Sequence, residues 1–252
     1  MHEPTASPQL ATVVPPVTVL WRDPTSPRAV DGVITADVPD HAQWLHDMDV
    51  ATDRAQGRWG LDDRIDSQVV QGEPVIIVER HDDWTRVVCP WQPNKGDARG
   101  YPGWVRTAHL QTCDERTASF DRVGAAGPVT RSEVVETARQ YLGLPYLWGG
   151  VSATALDCSG LVHIACRAHG IMVPRDGDDQ AAACDPVQQG EEQLGDLYFF
   201  AHPGKTIHHV GFVTGPRLML HAPGTGTGIV DEPMRPDRVE TLVAIGRIPT
   251  LS

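Results

Sequence analysis

A cysteine at the predicted start of a helix is the residue best suited to covalent chemistry in this chain. Cys158 lies in the segment DCSGL (157–161), after a glycine- and tryptophan-rich loop and before an amphipathic helix expected over 158–169. A helix N-terminus favours the thiolate, and its free N–H groups can hold the oxyanion of a tetrahedral intermediate. The alternative is a buried structural cysteine, which is the role expected for Cys166 in its apolar run.

Two histidines on neighbouring predicted strands are candidates for the general base. His209 begins the alternating segment HVGFVT (209–214), and His221 lies near the end of RLMLHA (217–222). If residues 214–216 form the loop of an antiparallel pair, the two histidines face each other on one side of the sheet, about 5 Å apart. One imidazole would then take the thiol proton, and the other would fix its orientation and tautomer. Two satisfied or exposed histidines are the alternative, since the chain has 11 histidines.

The composition excludes several classes of partner. The chain has 252 residues, 40% of them hydrophobic, and a formal net charge of −12. An acidic protein of this kind is not expected to bind nucleic acid, anionic membranes or cell-wall polymers non-specifically. No run approaches the roughly 18 apolar residues of a membrane span, and the N-terminal segment lacks the pattern of a signal peptide. We therefore expect a cytoplasmic protein; a secreted protein whose signal peptide was removed is the alternative.

The cysteine count argues against disulfides and metal. The chain has five cysteines, an odd number, and none of their spacings is CxxC. A disulfide framework and a zinc site are therefore not expected. We predict no metal and no cofactor.

Two domains are expected, with a small, polar, glycine-containing linker at 116–128. Residues 10–115 contain short apolar runs between turn residues and one possible helix at 40–51, which predicts a small all-β barrel. The predicted barrel strands are 17–21, 67–70, 74–80, 84–90 and 103–107. Residues 129–252 show an α+β pattern that begins with a capping box at Thr130 and Glu133. Its predicted strands are 196–200, 209–214, 217–222 and 240–248.

Six segments of the second domain occur in the order typical of one enzyme family. They are PYLWGG (145–150), DCSGLV (157–162), PRDGDDQ (174–180), LGDLYFF (194–200), HHVGFVTG (208–215) and LHAPGTG (220–226). Together they resemble the NlpC-type papain-like cysteine peptidases of bacterial cell-wall metabolism. The resemblance implies a papain-like α+β domain with a catalytic Cys158, His209 and His221. It also implies that Tyr146 helps to hold the oxyanion.

Within that family the chain is similar to the γ-D-glutamyl-L-diamino acid endopeptidases that carry an N-terminal SH3-like domain. This resemblance implies that the barrel is SH3-like and that the substrate is a murein stem peptide with a free N-terminal L-alanine. It assigns the alanine amine to Asp176, Tyr101 and Asp66, although glutamate is expected at the last position. A buried ammonium needs such partners, and an acylated alanine would leave the carboxylates unpaired. The alternative is that both aspartates are ordinary surface or turn acids.

Four further residues are expected to line the pocket: Ser159, His208, Trp148 and Arg175. Ser159 and His208 flank predicted catalytic positions, and Trp148 would form a wall. Arg175 would meet a substrate carboxylate or, alternatively, pair with an aspartate at 178 or 179.

We therefore predict a cysteine peptidase that degrades recycled murein peptides such as L-Ala-γ-D-Glu-diamino acid. A secreted hydrolase of intact peptidoglycan is one alternative, and the charge and missing signal peptide count against it. A non-catalytic peptide-binding scaffold is another, and the intact Cys158, His209 and His221 count against that. An acyltransferase on the same scaffold would need an apolar acyl channel, for which the sequence shows no candidate.

Overall fold

The computed structural model describes residues 9–114 and 127–251, which form two compact units. The first unit holds the described residues up to Trp91 and those from Asp97 to 114. The second holds Gln92–Gly96 and the described residues from 127 onward. The linker predicted at 116–128 lies almost entirely outside the described residues, so the predicted domain boundaries stay a prediction.

The described residues of the first unit form a seven-stranded antiparallel sheet and one α-helix, α1 (His41–Val50). The strand order is β3-β2-β6-β5-β4-β1-β7. The strands are β1 (Gln9–Val13), β2 (Val17–Trp21), β3 (Ile65–Val70), β4 (Pro74–His81), β5 (Trp84–Cys89), β6 (Tyr101–Arg106) and β7 (Leu110–Cys113). The five predicted strands and the predicted helix are all present. Sequence reasoning missed β1 and β7, which pair with each other through Leu10 and Cys113.

The helix α1 lies where its capping residue and apolar spacing predict it. The Asp40 carboxylate accepts a hydrogen bond from the N–H of Gln43 at 2.9 Å, which caps the first turn. Trp44 and Met48, four residues apart, are buried on one face. The Trp44 indole N–H donates to the buried Asp31 carboxylate at 2.7 Å, so its polar atom is satisfied.

The second unit packs helices against a six-stranded antiparallel sheet with the order β10-β15-β11-β12-β13-β14. Its helices are α2 (Arg131–Arg139), α3 (Cys158–Arg167), α4 (Gly177–Ala183) and α5 (Pro236–Thr241). Its strands are β8 (Val151–Ser152), β9 (Ala155–Leu156), β10 (Asp185–Pro186), β11 (Leu197–Phe200), β12 (His209–Gly215), β13 (Leu218–His221), β14 (Val230–Pro233) and β15 (Leu242–Arg247). The predicted α+β class is confirmed. Within the described ranges, no helix has the length and apolarity needed to cross a bilayer.

The helix α3 is placed by its apolar face and by a glycine. Leu161 and Ala165 are fully buried in the core cluster that also contains Val210 and Phe212 of β12. At Gly160, an added Cβ would lie 2.0 Å from the carbonyl oxygen of Gly150. The close approach of these two backbones explains why the DCSG segment needs glycine at its fourth position. Packing and close approach together bring the start of α3 to the start of β12.

The predicted pairing of β12 with β13 is wrong by two residues. The structure pairs Phe212 with Leu220, which places His221 beside Gly211 and not opposite His209. A Cβ added at Gly211 would lie 2.9 Å from the His221 Cβ. The two histidines are therefore diagonal neighbours.

A tighter turn causes this register. Gly215 pairs with Leu218, which leaves residues 216–217 as the turn, and the ladder shifts between Val213 and Gly215. Arg217 adopts a φ of 55°, in the left-handed region typical of two-residue hairpin turns. Because side chains alternate with a period of two, a shift of two residues keeps both histidines on one face. Diagonal neighbours on one face are still within reach of imidazole rings.

Candidate active site

Cys158 is the first residue of α3 and is partly buried against the core. The backbone N–H groups of Val210 and Ser159 act on its sulfur and favour the thiolate. Burial, and then the nearby Asp157 carboxylate, raise the pKa of the Cys158 thiol to about 11, whereas those N–H groups and the Arg175 guanidinium act in the opposite direction. The helix start was expected to favour a thiolate. Desolvation outweighs that effect, so the thiol is protonated at neutral pH.

His209 and His221 meet directly. The Nε2 atom of His209 lies 2.7 Å from Nδ1 of His221, and the two rings are edge to face with centroids 5.0 Å apart. Both side chains are buried. Burial, followed by the charge of Arg238, lowers the pKa of His209 well below its usual value. Burial also lowers the pKa of His221, to about 4. Both rings are therefore neutral at pH 7, and a neutral imidazole is the form that can accept a proton.

Glu232 of β14 extends this pair, and sequence reasoning missed it. Its Oε1 atom lies 3.3 Å from Nε2 of His221. A carboxylate only accepts hydrogen bonds, so His221 carries its proton on Nε2 and accepts at Nδ1. His209 then carries its proton on Nε2, which leaves Nδ1 unprotonated. The Glu232 carboxylate thus sets the tautomers of both histidines.

The strand β14 was absent from the predicted strands because its sequence, VDEP, is short and polar.

Asp157 and Arg175 hold the start of α3. The Asp157 carboxylate accepts from the N–H of Gly160 at 2.6 Å and from that of Gly149 at 2.9 Å. Arg175 donates to both carboxylate oxygens, at 2.6 and 3.1 Å, and to the Ser159 hydroxyl at 2.9 Å. This network fixes the helix N-terminus against the preceding loop and sets the position of the cysteine.

The two aspartates expected as alternative partners of Arg175 pair with another cation. Asp178 and Asp179 instead form ion pairs with Lys95, which belongs to the second unit. The Arg175 side chain is 1% exposed and lies against Asp157. A substrate carboxylate would have to displace that buried pair, so the geometry favours a positioning role for Arg175. Ser159, also buried, shares this network.

The remaining predicted residues of the second unit differ in burial and in contacts. Tyr146 is buried and forms a backbone bridge with Leu156, two residues before the cysteine. Trp148, in the same loop, is 37% exposed. Asp176 is half-buried at the N-cap of α4. His208 is exposed and stacks on His202, with ring centroids 4.6 Å apart. Their predicted roles stay predictions.

Asp66 and Tyr101 lie in the first unit. Asp66 is on β3, and its carboxylate accepts from Nε of Arg22 at 2.6 Å. Tyr101 begins β6 and is buried in the core cluster of that unit. The Arg22 cation already offsets the charge of Asp66, which makes Asp66 the weaker of the two predicted carboxylates.

Arg238 of α5 is a second residue that sequence reasoning missed. Its guanidinium carbon lies 5.6 Å from the Phe200 ring centroid, and its Nη2 donates to the carbonyl oxygen of Pro223 at 3.2 Å. The Phe200 ring is in turn 5.6 Å from the ring of His209. The short helix α5 begins at Pro236 and was not predicted, and its last two residues fall in the strand predicted at 240–248. No sequence signal therefore pointed to this arginine.

Comparison with known proteins identifies the family. The model of the NlpC/P60 family matches residues 143–244. A gamma-D-glutamyl-L-lysine dipeptidyl-peptidase of Bacillus subtilis (strain 168) is 32% identical over 86% of this chain and 91% of the relative. The chain belongs to the NlpC/P60 family. A second protein of the same name, from Bacillus cereus (strain ATCC 10987 / NRS 248), is 26% identical over 81% of this chain and 80% of that relative.

A solved structure agrees on the fold over nearly the whole chain. The crystal structure of an NlpC/P60 family protein from Bacillus cereus ATCC 10987 superposes with a TM-score of 0.85. It is 23% identical, and the match covers 95% of this chain and 99% of that one. The papain-like cysteine peptidase class predicted from the six segments is confirmed. As an NlpC/P60 member, the chain is a cysteine peptidase.

Proposed function

We propose that this NlpC/P60 peptidase hydrolyses the bond between γ-D-glutamate and an L-diamino acid in murein-derived peptides. The contact that carries the proposal is the 2.7 Å approach of His209 to His221 beside the start of α3. It orients a buried base one residue before Val210, whose backbone N–H acts on the Cys158 sulfur. The names of the two Bacillus relatives support the substrate class.

The proposed reaction begins with a neutral pair. Nδ1 of His209 takes the proton of Cys158 as the sulfur attacks the γ-carbonyl carbon, so the thiolate forms only in the attack. His209 becomes an imidazolium, which His221 and, beyond it, Glu232 stabilise by accepting in series. The proton then passes to the leaving amine as the C–N bond breaks, which leaves a thioester on Cys158. Water, deprotonated by the same His209, hydrolyses that thioester.

Backbone N–H groups at the start of α3, with Tyr146, are proposed to hold the oxyanion. Donors fixed before the reaction stabilise developing charge without reorganising. The buried Asp157–Arg175 pair supports this assignment because it immobilises the helix start. Tyr146 follows from the family pattern and from its bridge to Leu156.

The free N-terminal alanine of the substrate is proposed to bind Asp176, and the roles of Tyr101 and Asp66 in the first unit stay predictions. Asp176 supports the proposal by its position: it is half-buried, one residue after Arg175. An ammonium received by carboxylates discriminates strongly against an N-acylated peptide, because acylation leaves the acids unpaired. We also propose that the first unit is SH3-like and that the enzyme acts in the cytoplasm on recycled peptides.

Cleavage of paired peptides tests the function. The protein is incubated with L-Ala-γ-D-Glu-L-Lys, with its diaminopimelate counterpart, and with the N-acetylated form of each. Release of L-Ala-D-Glu from the free peptides alone is the expected result. Equal cleavage of acetylated and free forms contradicts the amine site, and no cleavage of any peptide contradicts the proposed function.

A further inference from the structure

Arg238 carries a positive charge close to the reacting groups. A thiolate at Cys158 and the Arg238 cation attract each other. The same cation lowers the pKa values of His208, His209 and His221. Its guanidinium lies over the Phe200 ring and holds the carbonyl of Pro223, the second residue after His221. These contacts hold the side chain at the edge of the catalytic centre, against Phe200, which pairs with His209 in the sheet.

This guanidinium is only partly satisfied. It has five N–H donors, and one hydrogen bond, to a carbonyl, is formed in the part of the chain that the structure describes. The carboxylates of Asp237 and Glu232 influence its pKa, but they pair with Arg235 and His221 respectively. Among the described residues, no carboxylate lies within ion-pair distance of Arg238.

A half-buried arginine without a carboxylate is costly because part of its hydration is lost without a compensating charge. Burial accordingly lowers the pKa of Arg238 below its usual value. The planar guanidinium can donate two parallel hydrogen bonds to one carboxylate, which is the common anionic group of a peptide. A substrate carboxylate would supply the missing partner.

We propose that Arg238 is a specificity-determining residue that binds a substrate carboxylate adjacent to the scissile bond. The proposal rests on the proposed function. A D-glutamate linked through its γ-carbonyl keeps a free α-carboxylate, and a C-terminal diamino acid keeps its own. Both groups lie within a few bonds of the carbonyl that Cys158 attacks. Both present the same chemistry, and the experiment distinguishes them.

Binding measured without turnover tests this role. Titration calorimetry on the Cys158→Ala protein would use L-Ala-γ-D-Glu-L-Lys and two carboxamides, one at the D-glutamate α-carboxylate and one at the lysine carboxylate. The same three peptides would be titrated into Cys158→Ala/Arg238→Gln. The matched control is Cys158→Ala/Arg235→Gln, which removes an exposed arginine three residues away.

The expected result is a coupling between Arg238 and one carboxylate. Arg238→Gln weakens binding of the unmodified peptide by about 10- to 100-fold. Amidation of the recognised carboxylate weakens binding by a similar factor in the protein that retains Arg238. In the Arg238→Gln protein the same amidation has little effect on binding. The carboxamide whose weaker binding depends on Arg238 identifies the carboxylate that Arg238 binds.

Three results would overturn the proposal. They are equal effects of Arg238→Gln and Arg235→Gln, amidation effects that do not depend on Arg238, and no measurable binding of the unmodified peptide. Cleavage by the wild type is measured in parallel. Cleavage without coupling removes the role of Arg238 alone, whereas coupling without cleavage removes the proposed function and keeps the carboxylate site.

Discussion

Two arginines influence Cys158, and they differ in what surrounds them. Arg175 is 1% exposed and its guanidinium is matched by the Asp157 carboxylate, which lies at the N-cap of the cysteine's helix. Arg238 is half-buried over the Phe200 ring, with a carbonyl as its hydrogen-bond acceptor. One cation is satisfied within the fold, and the other has donors to spare.

The difference separates positioning from recognition. A fully paired, buried arginine fixes the geometry of the residues that it holds, and its removal leaves an uncompensated charge. An incompletely paired arginine at the edge of a site costs little to remove but has most to gain from an anionic ligand. Loss of Arg175 should therefore affect folding, and loss of Arg238 should affect substrate binding.

The largest effect on activity is expected from substitution of Cys158, the residue that both arginines influence. Cys158→Ala should lower kcat/KM for L-Ala-γ-D-Glu-L-Lys by at least about 1,000-fold, because no other group can form the thioester. The thermal unfolding midpoint should change little. Cys113→Ser, which alters a cysteine of the first unit, is the control and should retain activity. Substantial turnover by Cys158→Ala would remove the basis of the comparison.

Arg175→Met is expected to destabilise the second unit by about 3–5 kcal/mol, since Asp157 would remain buried without its partner. Urea unfolding followed by circular dichroism measures this. Arg238→Gln should cost less than about 1 kcal/mol in the same experiment. Adding Asp157→Asn to Arg175→Met should recover part of the loss. Equal destabilisation by the two arginine substitutions would break the distinction.

Glu232→Gln is expected to lower kcat by about 10-fold with little change in KM, because the second histidine loses the carboxylate that fixes its tautomer. Steady-state kinetics on the free peptide measures both constants. Glu240→Gln, an exposed glutamate on α5, is the control. A rise in KM with kcat unchanged would instead assign Glu232 to substrate binding.

The smallest expected effect is a shift in the pH dependence of kcat/KM when the charge of Arg238 is removed. Burial depresses the pKa values of His209 and His221, so kcat/KM should persist as the pH falls through 6.5 and decline only at lower pH. Removing the charge of Arg238 should move this acid limb upward by a fraction of a pH unit. Arg139→Gln, remote in sequence and paired with Glu136 and Asp231, should leave it unchanged. An acid limb at or above 6.5 in the wild type would contradict the neutral histidine pair.

The sequence predicts the framework of the site well because its signals are local. The glycine- and tryptophan-rich loop before Cys158, the apolar spacing of α3 and the alternation of β12 and β13 are each signals within a short stretch of sequence. The two histidines were predicted on one face of the sheet, but from a strand register that is wrong by two residues. The prediction succeeded because an even shift conserves the face of a strand.

The missed residues depend on contacts between distant segments. Glu232 reaches His221 through the pairing of β14 with β13, and a polar strand of four residues has no apolar pattern to reveal it. Arg238 lies on a six-residue helix. The pKa of Cys158 was expected to be low from the helix start alone, but desolvation by the surrounding core is a tertiary effect that local sequence does not encode.

In the proposed mechanism, burial keeps the Cys158 thiol neutral until His209 takes its proton. The pH dependence of alkylation by iodoacetamide tests it directly, with the modified peptide identified by mass spectrometry. The rate at Cys158 should still be rising at pH 9, in keeping with a pKa raised to about 11. A rate that reaches its plateau below pH 7 would show a preformed thiolate and contradict the claim.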